Sequence, residues 1–259
     1  MASSIGSSHV VAGMPCQDSH CHLAMRDSFG RRVVVLVAAD GAGTASVAEI
    51  GAALACETFA KLVEAYIESG GRLEDINRAL MSRWVAGVVF RLSLRAEADG
   101  IECHEYACTL LAAIIGESTT AFMQIGDGAI VTSDGEADGW SYVFWPQHGE
   151  FANTTNFITS ENALQAMEFD AIGHAVEEIA LFTDGLENLV LNKAEKTVHA
   201  PFFDSMFRSV RASAADGVDA ALSQGLENYL SGPVITERTD DDKTLILATR
   251  RPVAAAQRR

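Results

Sequence analysis

The chain has 259 residues, a hydrophobic content of 48% and a formal net charge of −16, enough apolar mass for one large domain with its own core. The acidity excludes nucleic acid and anionic membrane as main partners, because both are bound by basic surface; it serves solubility and is compatible with divalent cations. Five cysteines with no CxxC pair argue for a reducing compartment and against a disulfide framework or zinc knuckle, and with no bilayer-length apolar run and no signal-peptide pattern in Met1 to Pro15 a cytoplasmic location is expected.

In chain order, Ile5 to Val11 and Cys21 to Met25 read as short strands around a polar connector, Met14-Pro15-Cys16-Gln17-Asp18. Val33 to Gly43, VVVLVAADGAG, is the organising stretch: a strand buried on both faces that runs into Asp40-Gly41. Ser46-Val47-Ala48-Glu49 has capping-box spacing and opens a helix predicted to about Ser69, with Val47, Ile50, Leu54, Phe59, Leu62, Val63 and Tyr66 on its apolar face and Gly70-Gly71 as its stop. A second helix, Leu73 to Ala98, carries Leu73, Ile76, Leu80, Trp84, Val88 and Leu92 inward.

From Ala107 the period shortens to that of strands. Ala107 to Ile115 and Thr119 to Ile125 flank Gly116-Glu117-Ser118, a hairpin signature, and the second run ends in Gly126-Asp127-Gly128. Ala129 to Ser133 and Trp140 to Trp145 continue the meander, and Pro146 to Ser160 is a long polar loop of the kind that is functional or mobile. Ala175 to Thr183 is a buried strand ending in Asp184-Gly185. Pro201 to Ala215 reads as a helix with proline in its first turn, Asp216 as the cap of a helix over Gly217 to Leu230, and Thr239 to Asp242 leads into a last strand, Thr244 to Ala248. No repeat or linker divides the chain; residues 1–259 read as a single domain with a core at about 6–249 and a frayed tail at 250–259.

Asp40, Asp127 and Asp184 each follow an apolar strand and precede glycine, and Asp241 lies at the foot of another strand. Each alone is readable as a turn aspartate, and Asp18 likewise as a turn acid. Gathered at one edge of a β core, however, such carboxylates repel one another unless cations sit among them. Oxygen-only ligands favour Mg²⁺ or Mn²⁺ over zinc. Two such ions roughly 3.5–4 Å apart share a carboxylate, activate a water and clamp a phosphoryl oxygen, which makes phosphoester hydrolysis the matching chemistry.

The ordered set Gln17-Asp18, Asp40-Gly41-Ala42-Gly43, Cys108-Thr109, Gly126-Asp127-Gly128, Phe182-Thr183-Asp184-Gly185 and Asp241-Asp242-Lys243-Thr244 resembles the metal-dependent protein phosphatases of the 2C type, in particular the compact bacterial members. The resemblance runs from about Gly6 to Thr249. It implies an α+β fold, an αββα four-layer sandwich of two antiparallel sheets face to face with helices outside. It implies a protein phosphatase acting on phosphoserine and phosphothreonine in a phosphorylated protein substrate, with Mg²⁺ or Mn²⁺ as cofactor at two sites and a weaker third. By the same resemblance Asp40 bridges two ions, the Gly41 carbonyl contacts one of them, Asp184 and Asp241 hold the other, Asp18 acts near the second ion through its waters, and Asp127 belongs to the third site. The nucleophile is then metal-activated water, with Asp40, Asp184 and Asp241 as the catalytic set.

Departures from the family pattern are specific. Ala42 stands where a histidine proposed as general acid is common, Gln17 where an acid or asparagine is common, and no arginine precedes Arg26 to grip the substrate phosphate; His9 and His20 are the nearest substitutes, each also readable as a surface or structural histidine. An aspartyl-nucleophile phosphatase would need a DxD motif, which Asp40-Gly41-Ala42 lacks. The alternative is a regulatory module that keeps the fold and binds a phosphoprotein; against it, a pure binding module has no need of a costly acidic cluster.

Overall fold

The computed structural model describes residues 1–135, 139–147 and 155–250. Residues 148–154 of the polar loop expected over Pro146 to Ser160, and the tail from Arg251, lie outside the described residues. In chain order the elements are β1 (Ala2–Ser4), α1 (Ser7–Ala12), β2 (Ser19–Arg26), β3 (Arg32–Ala39), α2 (Ala48–Glu68), α3 (Arg78–Asp99), β4 (Leu110–Ile115), β5 (Thr120–Ile125), β6 (Ala129–Ser133), β7 (Trp140–Tyr142), α4 (Ala163–Ala166), β8 (Glu168–Ile172), β9 (Glu178–Phe182), α5 (Glu187–Val190), β10 (Leu191–Asn192), β11 (Thr197–Val198), α6 (Ala200–Ala212), α7 (Ala220–Leu230), α8 (Pro233–Thr236) and β12 (Lys243–Thr249).

Two five-stranded sheets carry the architecture, one ordered β2-β3-β4-β5-β8 and the other β1-β12-β9-β6-β7, with every pairing antiparallel. The period-two rule of strands explains the layers. Along β3, Leu36 and Ala38 face the second sheet, where Ile130, Ile179, Leu181 and Ile246 meet them. Val33, Val35, Val37 and Ala39 face the other way, onto α2 and α3. In the second sheet Ala180, Phe182 and Leu245 point outward to Phe203, Phe207, Leu226 and Leu230 of α6 and α7. Because both faces of both sheets are covered, the central strands read as unbroken apolar runs, and the result is the αββα sandwich expected above.

Several local expectations are corrected. Residues 5–11 are not a strand: β1 lies earlier, and α1 follows, closed by Gly13 in the left-handed region at φ 68°. Val10 and Val11 are exposed, so no sheet face holds them. The Ser46/Glu49 capping box does not form; α2 starts one residue later, at Ala48, and the Ser46 and Val47 amides donate to the Glu105 side chain and carbonyl. The buried stripe of α2 is built from small residues, Ala48, Gly51, Ala52, Ala55, Cys56 and Ala60, with Phe59, Val63 and Ile67, whereas Val47, Ile50, Leu54, Leu62 and Tyr66 are only partly buried beside it. Helix α3 starts at Arg78, capped by the Asn77 side chain, which accepts from the Leu80 amide; Leu73 belongs to a separate 3₁₀ turn. Asp219, not Asp216, caps α7, and Asp216 pairs with Arg32. Strand β8 escaped the pattern reading because, as an edge strand, it has exposed residues at its centre.

Candidate active site

Strand register brings the acids together. Ser19 pairs with Ala39 and Leu110 with Ile125, so the start of β2 and the ends of β3 and β5 lie at one end of the first sheet. Phe182 pairs with both Ala129 and Leu245, which sets the end of β9 beside the starts of β6 and β12. The sequence therefore delivers Asp18, Asp40, Asp127, Asp184 and Asp241 to the same edge of the sandwich. Carboxylate oxygens of Asp40, Asp127 and Asp184 all lie within 4.8 Å of one another. Asp18 is buried; its Oδ2 accepts from Thr183 Oγ1 at 2.7 Å across the gap between sheets, and its Oδ1 has no hydrogen-bond partner. Asp241 is the exposed member, outside that triad yet close enough to repel Asp40 and Asp184. Asp127, which the resemblance gives to a third site, lies within reach of Asp40 and Asp184.

Neutral groups fix these acids. The Asp40 amide donates to Thr109 Oγ1 at 2.9 Å and its carbonyl accepts from the Thr109 amide at 2.8 Å. Gly41 sits so tightly that a methyl group in its place would overlap the Ala48 side chain. Thr183 Oγ1 also accepts from the Thr244 amide at 2.9 Å, tying β12 to the same hydroxyl that holds Asp18. The turn of Asp127 passes through Gly126 at φ 116°, a conformation suited to glycine. It is stapled by Gln147, whose Oε1 accepts from the Gly126 amide at 3.0 Å while its Nε2 donates to the Ala166 carbonyl and Glu168. Sequence reasoning missed Gln147, the role of Thr183 and the buried Asp242; each acts on partners far along the chain, and no local pattern marks them.

The electrostatics follow from crowding. Burial pushes the Asp18 carboxyl up to about 7 against the pull of the Thr183 and Thr244 hydroxyls. Burial likewise lifts Asp184 to about 7, with Asp127 and Asp241 adding repulsion. Asp40 is raised well above the carboxylate range by burial and by Asp18, Asp184, Asp127 and Asp241 around it. A divalent cation answers each of these: the donors are all oxygens, the charge is negative, and Asp18 keeps a buried oxygen without a partner. The residues present fit Mg²⁺ or Mn²⁺. Neither histidine is a free phosphate grip: His9 Nδ1 lies 2.8 Å from Asp242 Oδ2, and His20 Nδ1 lies 2.8 Å from Ser3 Oγ, with burial pushing His20 down to about 4.

The chain matches the family model described as protein phosphatase 2C over residues 5–231. Serine/threonine-protein phosphatase 3 of Escherichia coli (strain K12) is 38% identical over 249 residues, covering 95% of this chain and 96% of that one. Among solved structures, a bacterial serine phosphatase aligns with a TM-score of 0.58 at 13% identity over 91% of this chain and 92% of that one. Serine/threonine phosphatase Stp1 from Staphylococcus aureus aligns at 0.57 and 14% identity over 92% and 90%. The catalytic domain of serine threonine protein phosphatase PstP, in complex with two manganese ions, aligns at 0.54 and 13% identity over 90% and 97%. At such identities these structures speak to the fold.

Proposed function

The chain belongs to the protein phosphatase 2C family, and from that premise we propose that it is a metal-dependent protein phosphatase that hydrolyses phosphoserine and phosphothreonine at a binuclear Mg²⁺ or Mn²⁺ centre. The observation that carries the reading is the convergence of Asp40, Asp127 and Asp184, their oxygens within 4.8 Å, in a chain of this family. Residues 1–259 act as one such domain. The substrate is a phosphorylated protein, and the named substrate residues of the E. coli relative and the manganese of the PstP complex support that choice of substrate and cofactor.

Asp40 would bridge the two ions with the Gly41 carbonyl beside it, Asp184 and Asp241 would hold one ion, Asp18 would act near the second through waters, and Asp127 would serve a third, weaker position. Bound there, divalent ions lower the pKa of a water and neutralise charge on the phosphoryl oxygens. The chain's own work is to hold its carboxylates apart at fixed spacing, with Asp18 turned by Thr183 so that one oxygen stays available. Ala42, buried and aliphatic, offers no proton in place of the family's histidine, so protonation of the leaving group falls to water or another group. Among the described residues no helix is long and apolar enough to cross a membrane, in keeping with a cytoplasmic enzyme.

Hydrolysis of an aryl phosphate by the purified protein, with and without Mn²⁺ and alongside Asp40→Asn, tests this reading. Metal-dependent turnover that the variant loses is the expected result. Absence of turnover with Mn²⁺ binding still visible by calorimetry would overturn it in favour of a phosphoprotein-binding module.

A further inference from the structure

We propose that Asp242 is a positioning residue for the metal centre: its buried carboxylate fastens the segment that carries Asp18 to the turn that carries Asp241. The inference rests on the metal reading given above. Asp242 is 2% exposed. Its Oδ1 accepts from the Gly6 amide at 2.6 Å and its Oδ2 from the Gln17 amide at 2.5 Å, with His9 Nδ1 at 2.8 Å from the same oxygen. Both ends of residues 6–17 are thus tied to one carboxylate more than 220 positions away, since the sequence separations are 236 and 225. The residue after Gln17 is Asp18, and the Gln17 carbonyl accepts from the Gly41 amide at 3.1 Å. One carboxylate therefore sets the spacing of three segments that bring acids to the site.

The chemistry calls for an aspartate here. Two backbone N–H groups converge on separate oxygens, whereas an asparagine offers one acceptor and would aim its own N–H₂ at the second donor. Neighbouring contacts leave the seam no slack. The Asp240 carbonyl accepts from the Ser8 amide at 3.0 Å, and the fully buried Lys243 donates from Nζ to the Asp241 carbonyl at 2.7 Å and the Ile5 carbonyl at 3.4 Å. A methyl group at Gly6 would run into the Asp240 carbonyl and the Asp241 backbone, and one at Gly185 into the Asp242 carbonyl. A displaced Asp242 therefore displaces Asp241 and Asp18 relative to Asp184.

The test compares wild type, Asp242→Asn and Gly6→Ala, the last of which wedges the same seam while keeping every charge. Mn²⁺ binding is measured by calorimetry at 25 °C, well below each melting transition, and turnover of an aryl phosphate is measured across Mn²⁺ concentrations. Both variants should bind Mn²⁺ at least tenfold more weakly, with half-saturation of activity shifted by the same factor and kcat at saturating Mn²⁺ within about threefold of wild type. Lowered melting temperatures with unchanged Mn²⁺ affinity in either folded variant would overturn the proposal and leave Asp242 merely structural. Weakening in Asp242→Asn alone would also overturn it, since charge and not position would then be the cause. Wild type that binds no Mn²⁺ would instead remove the metal reading beneath it.

Discussion

Asp184 experiences two opposed demands: the turn after β9 holds it near Asp40 and Asp127, and burial with their charge resists its ionisation. Removing that charge separates the demands. Asp184→Asn should abolish metal-dependent turnover while raising the stability measured by denaturant titration in EDTA by an amount on the order of 1–3 kcal/mol, from relieved repulsion and desolvation; loss of both activity and metal-free stability would contradict it. Gly41→Ala tests the opposite kind of residue, one with no chemistry of its own. Its methyl group would overlap Ala48, and the expected cost is about 1–3 kcal/mol in a denaturant titration. At this scale the sequence was readable wherever an acid followed an apolar run into glycine, as at Asp40, Asp127 and Asp184. It was silent on Thr183, Gln147 and Asp242, whose partners lie 165, 21 and 236 positions away, because spacing patterns record only neighbours.

Elements were legible where burial is two-sided and illegible where it is not. Strands β3, β4 and β9 are fully or nearly fully buried and read directly as apolar runs. The edge strand β8 and the helix α1, which buries no residue, offered no periodicity to read. Helix α2 shows a subtler failure: large residues at helical spacing suggested the inner face, yet alanines and a glycine form much of it, because a helix lying close on a sheet needs small side chains at the contact. Ala55→Leu should accordingly destabilise by about 1–3 kcal/mol through overpacking, as read from urea midpoints. At the start of α3, Asn77→Ala should cost about 1 kcal/mol by leaving the Leu80 amide without its cap; a change well below about 0.5 kcal/mol, the low end for loss of such a cap, would mean that water replaces the side chain fully.

For the molecule as a whole, the raised carboxyls of Asp18 and Asp184 link stability to pH. A carboxyl whose folded pKa stands near 7, above its value near 3.8 when unfolded, favours folding most when protonated. Its contribution is fully present below the unfolded pKa and is lost as the pH rises through 7. Metal-free protein should therefore melt at a lower temperature at pH 8 than at pH 5.5, and millimolar Mn²⁺ should remove the decline, because a ligand bound only by the folded state stabilises it. Melting curves in EDTA and in Mn²⁺ check both signs; a metal-free protein more stable at pH 8 would show that the acids are not crowded in solution.

The strand order β1-β12-β9-β6-β7 has a consequence in time. Strand β12 inserts between β1 and β9, so a chain emerging from the ribosome in sequence order completes the second sheet only after residue 249 is made. Until then β9, five buried residues reading EIALF, is an unpaired sheet edge, the kind of template on which chains associate wrongly. Glu178 is the sole charge within that strand and the one gatekeeper against such pairing. Nascent chains halted before β12 are thus expected to be both inactive and aggregation-prone, and refolding to be slowed by closure of a loop that spans nearly the entire sequence.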